Sequence, residues 1–128
     1  REWNVSVPIG DRLSYDLIVD INGKLAKLQV KSAWFDQSKN NYVVDNRRTQ
    51  TNLRELKRSN YDSTSFDFAI LVIVELNIYY VMPVNDFISY GSEIHLIETD
   101  KRQRKPKSSE FREAWNLILQ WAAKEEIL

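Results

Sequence analysis

Three polar side chains in the first quarter of the sequence, Asp16, Gln29 and Lys31, are of the types that metal-assisted phosphate chemistry requires. Hard divalent cations such as Mg²⁺ take oxygen ligands, which a carboxylate and a carboxamide both supply. An ammonium group beside a bound metal can stabilise developing negative charge, or help to deprotonate a metal-bound water. If the fold brings the three together, they form a minimal apparatus for holding a divalent metal and a phosphate.

The residues that must position these groups, 15–31, are predicted to form a β-hairpin, because Asn22-Gly23 is a strong signal for a two-residue turn. Side chains alternate between the two faces of a strand, so Gln29 and Lys31 are neighbours on one face of the second arm. Pairing of Asp16 across the hairpin would complete the site. An ordinary half-exposed hairpin with solvated polar residues has the same pattern, and this alternative stays open.

Asp16 followed by Gln29-x-Lys31 at the end of the next strand resembles the signature of the PD-(D/E)xK nuclease superfamily, which includes many restriction enzymes and junction resolvases. Gln29 stands where most members have Asp or Glu. A longer run, about a quarter of the chain, is similar to the group I intron-encoded homing endonuclease of this fold, whose motif also carries Gln. It lies between Val5 and Ala33 and includes Val7 to Asp11, Tyr15 to Ile18 and Gln29 to Ala33.

This resemblance implies an α/β fold with a restriction-endonuclease-like core, in which helices flank a mixed central β-sheet. It also implies a site-specific endonuclease for double-stranded DNA that uses Mg²⁺, with Mn²⁺ as a substitute. Asp16 would then bind the metal, Gln29 would position the metal or its water through the amide oxygen, and Lys31 would orient or activate the attacking water. Two alternatives remain: a non-cleaving DNA-binding or scaffold module of the same fold, and another nuclease of the superfamily, such as a restriction enzyme or a junction resolvase.

One departure from the superfamily pattern concerns the beginning of the chain. Members usually have a helix before the first strand, and this helix carries an acidic residue that faces the metal. Here the first apparent strand, Trp3 to Ile9, begins almost at once, and Glu2 is the only earlier acidic residue. We therefore expect the N-terminal helix, with one further metal ligand, to be missing from this sequence.

Length and composition indicate one globular domain, 1–128, with 43% hydrophobic and 28% charged residues. No apolar run approaches the roughly 20 residues that span a bilayer, so no membrane partner is expected. The chain has no cysteine, which excludes disulfides and thiolate metal sites and fits an intracellular, cytoplasmic protein. Its single histidine, His95, excludes a histidine cluster and a catalytic triad within one chain.

Positive charge is concentrated in two segments although the net charge is zero. Such asymmetry suits a DNA-binding face beside an acidic pocket. A functional interpretation is phosphate contact, and the alternative is a pair of solvated loops. The candidate DNA-binding residues are Arg47, Arg48, Lys57 and Arg58 in the first segment, and Lys101, Arg102, Arg104, Lys105 and Lys107 in the second.

The rest of the sequence predicts about five or six strands and one long helix. Phe66 to Val74 is continuously apolar, as in a central strand buried on both faces, and a turn leads from it into a strand from Tyr79 to Val84. Residues 45–65 have almost no core side chains, which predicts a basic loop or a short surface helix. Ser109 to Ala123 is predicted to be helical, because apolar residues recur at three- and four-residue spacing. This stripe consists of Phe111, Trp115, Ile118, Leu119 and Ala122.

A homo-oligomer with two-fold symmetry is expected from the substrate. The two scissile phosphates of a duplex are related by a local dyad, whereas one small domain with one pocket addresses a single strand. Dimers are the commonest assembly with such an axis. The resemblance further suggests a homotetramer, a dimer of dimers, and surface aromatic residues such as Trp34, Tyr90 or Trp121 are candidates for the contact.

Overall fold

Ten strands and two α-helices make up the residues that the structure, a computed structural model, describes: 3–7, 15–51, 56–98 and 107–124, with the side chains of 47–60 outside the description. The strands are β1 (Asn4–Ser6), β2 (Leu17–Ile21), β3 (Lys24–Ser32), β4 (Trp34–Asp36), β5 (Asn41–Asp45), β6 (Arg47–Thr51), β7 (Leu56–Asn60), β8 (Phe68–Ile73), β9 (Ile78–Pro83) and β10 (Glu93–Leu96). The helices are α1 (Val84–Ile88) and α2 (Asn116–Lys124), and short 3₁₀ helices cover Val74–Leu76 and Lys107–Phe111. Within these ranges no helix combines the length and apolarity needed to cross a bilayer.

The central sheet has five strands in the order β1-β2-β3-β8-β9. β3 and β8 are parallel, and the other neighbours are antiparallel. β8 is an inner strand, and Phe68 and Ile70 face one side while Ala69 and Leu71 face the other, all of them buried. A mixed sheet with a central strand buried on both faces is what the sequence predicts, and the fold class is confirmed.

The β2–β3 hairpin forms where it is predicted. Ile21 pairs with Lys24, which leaves Asn22 and Gly23 as the two-residue turn with φ angles of 54° and 94°. Positive φ at both turn positions favours Asn and Gly, because other residues are strained there. The Asp20 carboxylate accepts a hydrogen bond of 2.8 Å from the backbone N–H of Gly23 and closes the turn.

Each face of the sheet has its own apolar core. Helix α2 covers one face, where Ile118 and Ala122 pack on the inward residues of β2, β3 and β8. On the opposite face, α1 and the second sheet, ordered β10-β5-β4, cover a separate cluster. That cluster includes Leu71, Tyr80, Met82, Phe87 and Ile94, all with exposures of 1% or less. Lys27, Gln29 and Lys31 of β3 belong to this second face, because they alternate with Ala26 and Leu28 of the first.

The predicted loop or short helix at residues 45–65 is wrong. β6 and β7 form a two-stranded antiparallel ribbon in which Arg47 pairs with Asn60 and Thr51 with Leu56. Both strands are mainly polar, so no alternation of apolar and polar residues marked them as strands. Their ladder hydrogen bonds join the two strands to each other, in a sheet separate from the central one.

The single helix predicted from Ser109 to Ala123 is interrupted. A 3₁₀ helix ends at Phe111, and α2 begins only at Asn116, because Glu113 adopts a φ of 51°, in the left-handed region. Glu113 is held there by Tyr79 of β9: its backbone N–H donates to the Tyr79 carbonyl at 2.7 Å, and its carboxylate accepts from the Tyr79 N–H at 2.8 Å. Of the predicted stripe, Ile118 and Ala122 are buried, but Leu119 is 40% exposed.

A hydrogen-bonded group joins Glu98 and Arg112 to Tyr80 of β9. The Tyr80 hydroxyl is buried and donates to the Glu98 carboxylate, and the Arg112 guanidinium donates to the same carboxylate from Nε at 3.1 Å. Burial, followed by the Glu98 hydrogen bond, raises the pKa of Tyr80 above its ordinary value of 10.0. The Glu98 hydrogen bond also raises the pKa of Arg112. This group, which we call the Glu98 clasp, is further supported by a backbone bridge between Tyr80 and Arg112.

Candidate active site

Asp16 lies at the open end of the β2–β3 hairpin, against the last residues of β3. Its backbone N–H donates to the Leu28 carbonyl at 2.8 Å, which continues the antiparallel pairing beyond Leu17. Its carboxylate oxygen Oδ2 accepts two hydrogen bonds of 2.9 Å, one from the Gln29 side-chain Nε2 and one from the Val30 backbone N–H. The structure thus brings together two of the three residues singled out in the sequence.

One carboxylate oxygen of Asp16 remains available for a ligand. Within the described residues Oδ1 accepts no hydrogen bond, and Asp16 is an exposed residue. Gln29, by contrast, is only 9% exposed, and its Nε2 also lies 3.3 Å from the Val30 carbonyl. The pair therefore presents an open carboxylate backed by a fixed carboxamide.

Lys31 follows Gln29 on the same face of β3, two residues along the strand. In the parallel pairing of β3 with β8, Gln29 is opposite Ala69 and Lys31 is opposite Leu71. The Lys31 ammonium lies over the ring of Tyr61, with Nζ 5.2 Å from the ring centroid. The strand thereby sets the ammonium beyond the carboxamide on the side of the sheet that Asp16 also occupies.

This donor set fits a divalent metal of the Mg²⁺ type. The described residues contain no group of three or more His, Cys, Asp or Glu side chains, so a soft or histidine-rich site is not present among them. Mg²⁺ commonly takes one or two carboxylates and completes its octahedron with waters and substrate phosphates. Asp16 supplies the carboxylate, and Gln29 offers an amide oxygen after a half-turn of its terminal amide group.

Comparison with known proteins decides the family. The family model described as PD-(D/E)XK endonuclease matches residues 1–118. The chain belongs to the PD-(D/E)XK endonuclease family. A solved structure titled as that of a bacterial homing endonuclease, I-Ssp6803I, is 59% identical, with a TM-score of 0.90 over 98% of this chain and 85% of that one. No match was found among curated protein sequences.

The PD-(D/E)XK name describes an acidic residue two positions before a lysine, and this chain has Gln29-Val30-Lys31 there. A neutral carboxamide has a direct consequence in this geometry. Its Nε2 donates to Asp16, whereas a carboxylate at the same place would repel Asp16. The Gln29 amide therefore holds the Asp16 carboxylate without a cation, and the half-turn that offers the amide oxygen to a cation exchanges this hydrogen bond for a metal contact.

The first set of candidate DNA-binding residues belongs to the β6–β7 ribbon. Arg47 and Arg48 are the first two residues of β6, and Lys57 and Arg58 lie in β7. By register, Arg58 pairs with Thr49 and Lys57 with Gln50. Positions 48 and 57 therefore fall on one face of the ribbon, and positions 47 and 58 on the other. The side chains themselves lie outside the described residues.

Of the second basic set, Lys101, Arg102, Arg104 and Lys105 also lie outside the described residues. Lys107 is described at the start of the 3₁₀ helix Lys107–Phe111, where it is exposed. Its ammonium lies 4.4 Å from the centroid of the Tyr90 ring. The end of this basic segment is thus positioned against the turn that follows α1.

Tyr61 is a residue of the site that the sequence did not reveal. It stands alone among polar residues, at the end of a segment interpreted as a basic loop, and no apolar periodicity includes it. Its neighbourhood with Lys31 depends on the long-range pairing of β3 with β8. An isolated aromatic residue in a polar stretch is the only local signal that could have indicated it.

Proposed function

We propose that this PD-(D/E)XK family member is a site-specific endonuclease of the homing type, which hydrolyses phosphodiester bonds of double-stranded DNA inside the cell with a divalent metal. The observation that carries the proposal is the contact of Asp16 with Gln29 and Val30 at the open end of the hairpin. The likeness to a bacterial homing endonuclease over 98% of the chain supports the site-specific activity.

Each residue has a role in this proposal. Asp16 binds the cation through its open carboxylate oxygen, and Gln29 positions it through the amide oxygen. A bound Mg²⁺, or Mn²⁺ in its place, supplies charge stabilisation at the phosphate and makes a coordinated water more acidic. Lys31 orients the attacking water and stabilises the charge that develops on the phosphate oxygens.

Incubation of the protein with a plasmid library, in Mg²⁺, in Mn²⁺ and with a chelator, tests the activity. Metal-dependent linear products cut at one long site are expected. Binding without cutting would indicate a scaffold module, and this result would overturn the proposal. Frequent cuts at a short sequence, or cleavage of four-way junctions only, would indicate a restriction enzyme or a resolvase instead.

Gln29→Glu is expected to change the metal requirement rather than the fold. The added carboxylate stands against Asp16, and a divalent cation relieves the repulsion between them. The metal concentration for half-maximal cleavage should therefore fall by about tenfold, which corresponds to one pKa unit of interaction. Titration of Mg²⁺, Mn²⁺ and Ca²⁺ against cleavage rate measures this change.

Gln29→Leu is the matched control, because it keeps the volume and removes both amide atoms. In this variant the metal concentration for half-maximal cleavage should rise. With saturating metal, a thermal melt should give melting temperatures close to that of the wild type for both variants. Identical metal titrations for wild type and Gln29→Glu would show that Gln29 does not face the cation.

The basic residues are proposed to contact DNA phosphates. Neutralising Arg48 and Lys57 together, or Arg47 and Arg58 together, should weaken binding and reduce the slope of log affinity against log salt by about two per pair. A difference between the pairs would identify the face of the ribbon that meets DNA. Lys24→Ala is a control charge, since Lys24 lies 3.5 Å from the Trp121 ring, beside α2. Unchanged slopes in both pairs would leave these residues as solvated charge.

A dimer, or a dimer of dimers, is proposed because both strands of the DNA duplex must be cut. Trp34 is 47% exposed on the edge strand β4 and is available for such a contact. Trp121 is engaged in its own chain, where its ring centroid lies 5.9 Å from that of Phe68. Sedimentation with and without DNA should give a species heavier than 15.1 kDa, and a protein that stays at this mass under both conditions would favour a nickase or a non-cutting binder.

A further inference from the structure

The ring of Tyr61 forms a surface for the Lys31 ammonium. Nζ of Lys31 is 5.2 Å from the ring centroid, within the roughly 6 Å over which a cation is attracted by the electron-rich face of an aromatic ring. Tyr61 is only 7% exposed, and it belongs to the core on the Gln29 side of the sheet. The contact joins a residue of the proposed active site directly to the hydrophobic core.

Two buried phenylalanines fix the position of that ring. Tyr61 packs edge-to-face on Phe66 at 5.2 Å and on Phe87 at 5.8 Å, and these two rings contact each other at 5.5 Å. Phe66 is 1% exposed and Phe87 is completely buried. Three rings in mutual edge-to-face contact leave the Tyr61 ring little freedom to turn or withdraw.

The backbone after Tyr61 is also tied to β3. Asp62 closes a tight turn: its carboxylate accepts from the Thr64 N–H at 2.8 Å, and its own N–H donates to the Ser65 hydroxyl at 3.0 Å. The Thr64 carbonyl in turn accepts from the Lys27 ammonium at 3.4 Å. Residues 61–65 therefore contact β3 on both sides of Gln29, through Lys27 on one side and Lys31 on the other.

From this arrangement we infer that Tyr61 is a positioning residue that holds the Lys31 side chain in its working place. The inference rests on the proposed nuclease function. Lys has four rotatable side-chain bonds, and a fixed ring face removes much of this freedom before substrate binds. The electron-rich ring face attracts the ammonium, and in this place Lys31 orients water and stabilises charge. Tyr61 touches neither DNA nor metal in this role.

Two substitutions at one site, with a matched control, test the role by kinetics. Tyr61→Phe keeps the ring and should keep the single-turnover cleavage rate within threefold. Tyr61→Leu should lower the rate at saturating DNA by about tenfold, the loss of one cation–ring contact, with DNA affinity unchanged. Phe111→Leu removes a buried ring from the same hydrophobic core outside this triangle and should stay within threefold of the wild type. Equal losses in Tyr61→Leu and Phe111→Leu would reduce Tyr61 to a packing residue and overturn the inference.

A series of fluorinated rings at position 61 separates charge attraction from packing. Phenylalanine, its 4-fluoro, 3,5-difluoro and 3,4,5-trifluoro forms have nearly the same shape but a progressively weaker negative face. The cleavage rate should fall stepwise along the series. This test does not depend on whether Tyr61→Leu folds. A flat series would overturn the inference.

Proton NMR tests the contact without any cleavage. The ε-methylene signal of Lys31, assigned by its loss in Lys31→Ala, should be shifted upfield by the Tyr61 ring. The shift should remain in Tyr61→Phe and disappear in Tyr61→Leu. An inactive wild-type protein would refute the proposed function, whereas an unshifted Lys31 signal would refute the positioning role alone.

Discussion

Asp16→Ala and Lys31→Ala should each reduce DNA cleavage by roughly 10²–10⁴-fold, which leaves no activity detectable in an ordinary plasmid assay. Among the described residues, Asp16 offers a carboxylate oxygen that accepts no hydrogen bond at the open end of the hairpin, and Lys31 carries an ammonium on the same face. Neither belongs to the basic ribbon, so DNA affinity should stay within about tenfold of wild type. Single-turnover cleavage and a binding titration on the same DNA measure the two effects separately.

The hairpin itself offers matched controls. Asp20→Ala removes a carboxylate from the turn end of β2, and Lys24→Ala removes an ammonium that donates to the Trp121 carbonyl at 3.0 Å. Both should keep near wild-type cleavage after allowance for stability. Full activity in Asp16→Ala or Lys31→Ala would mean that the chemistry takes place elsewhere in the chain.

Removal of the Glu98 clasp should lower the stability of the protein substantially. In Glu98→Ala the Tyr80 hydroxyl, 1% exposed at the residue level, loses its acceptor, and Arg112 loses its carboxylate. A buried polar group without a partner costs about 1–3 kcal/mol, so the free energy of unfolding should fall by that amount. Urea unfolding at pH 8 measures it, and Glu98→Gln, which keeps an acceptor, should lose less.

The same clasp makes stability depend on alkaline pH. The pKa of Tyr80 is raised in the folded protein. The contribution of this hydroxyl to the free energy of unfolding is therefore fully present below pH 10.0, the ordinary pKa of a tyrosine. Above that pH the unfolded chain releases the proton while the folded chain retains it. The free energy of unfolding should then decrease with rising pH, and the slope should be steeper in the wild type than in Tyr80→Phe by about 1.4 kcal/mol per pH unit. Equal slopes for the two proteins between pH 9 and 11 would exclude this linkage.

The parts of the site that could be predicted from the sequence are local. Asn22-Gly23 fixes the register of the hairpin, and the period of two then places Gln29 and Lys31 on one face. Asp16 reaches that face through the same register. No tertiary information was needed for this much of the arrangement.

The parts that could not be predicted depend on long-range pairing. Both strands of the β6–β7 ribbon are mainly polar in sequence, so no apolar alternation marks them and they are defined by their pairing with each other. The break before α2 follows from the hydrogen bonds of Glu113 with Tyr79, 34 positions earlier. Tyr61 meets Lys31 only because β3 and β8 become neighbours in the sheet.

The parallel pairing of β3 with β8 also orders the folding reaction. Leu28 pairs with Phe68, 40 positions later, and closing a loop of that length costs about 3 kcal/mol of chain entropy. The hairpin that joins Asp16 to Gln29 closes a two-residue turn and forms on a microsecond timescale. We expect Asp16 and Gln29, the proposed cation ligands, to come together early, and Lys31 to reach the Tyr61 ring only in the slow, topology-limited step. Pulse-labelled hydrogen exchange should therefore protect the Val30 amide, bonded to Asp16, before the Ala33 amide, bonded to Val72. A nascent chain would thus remain catalytically silent until the two distant strands have met.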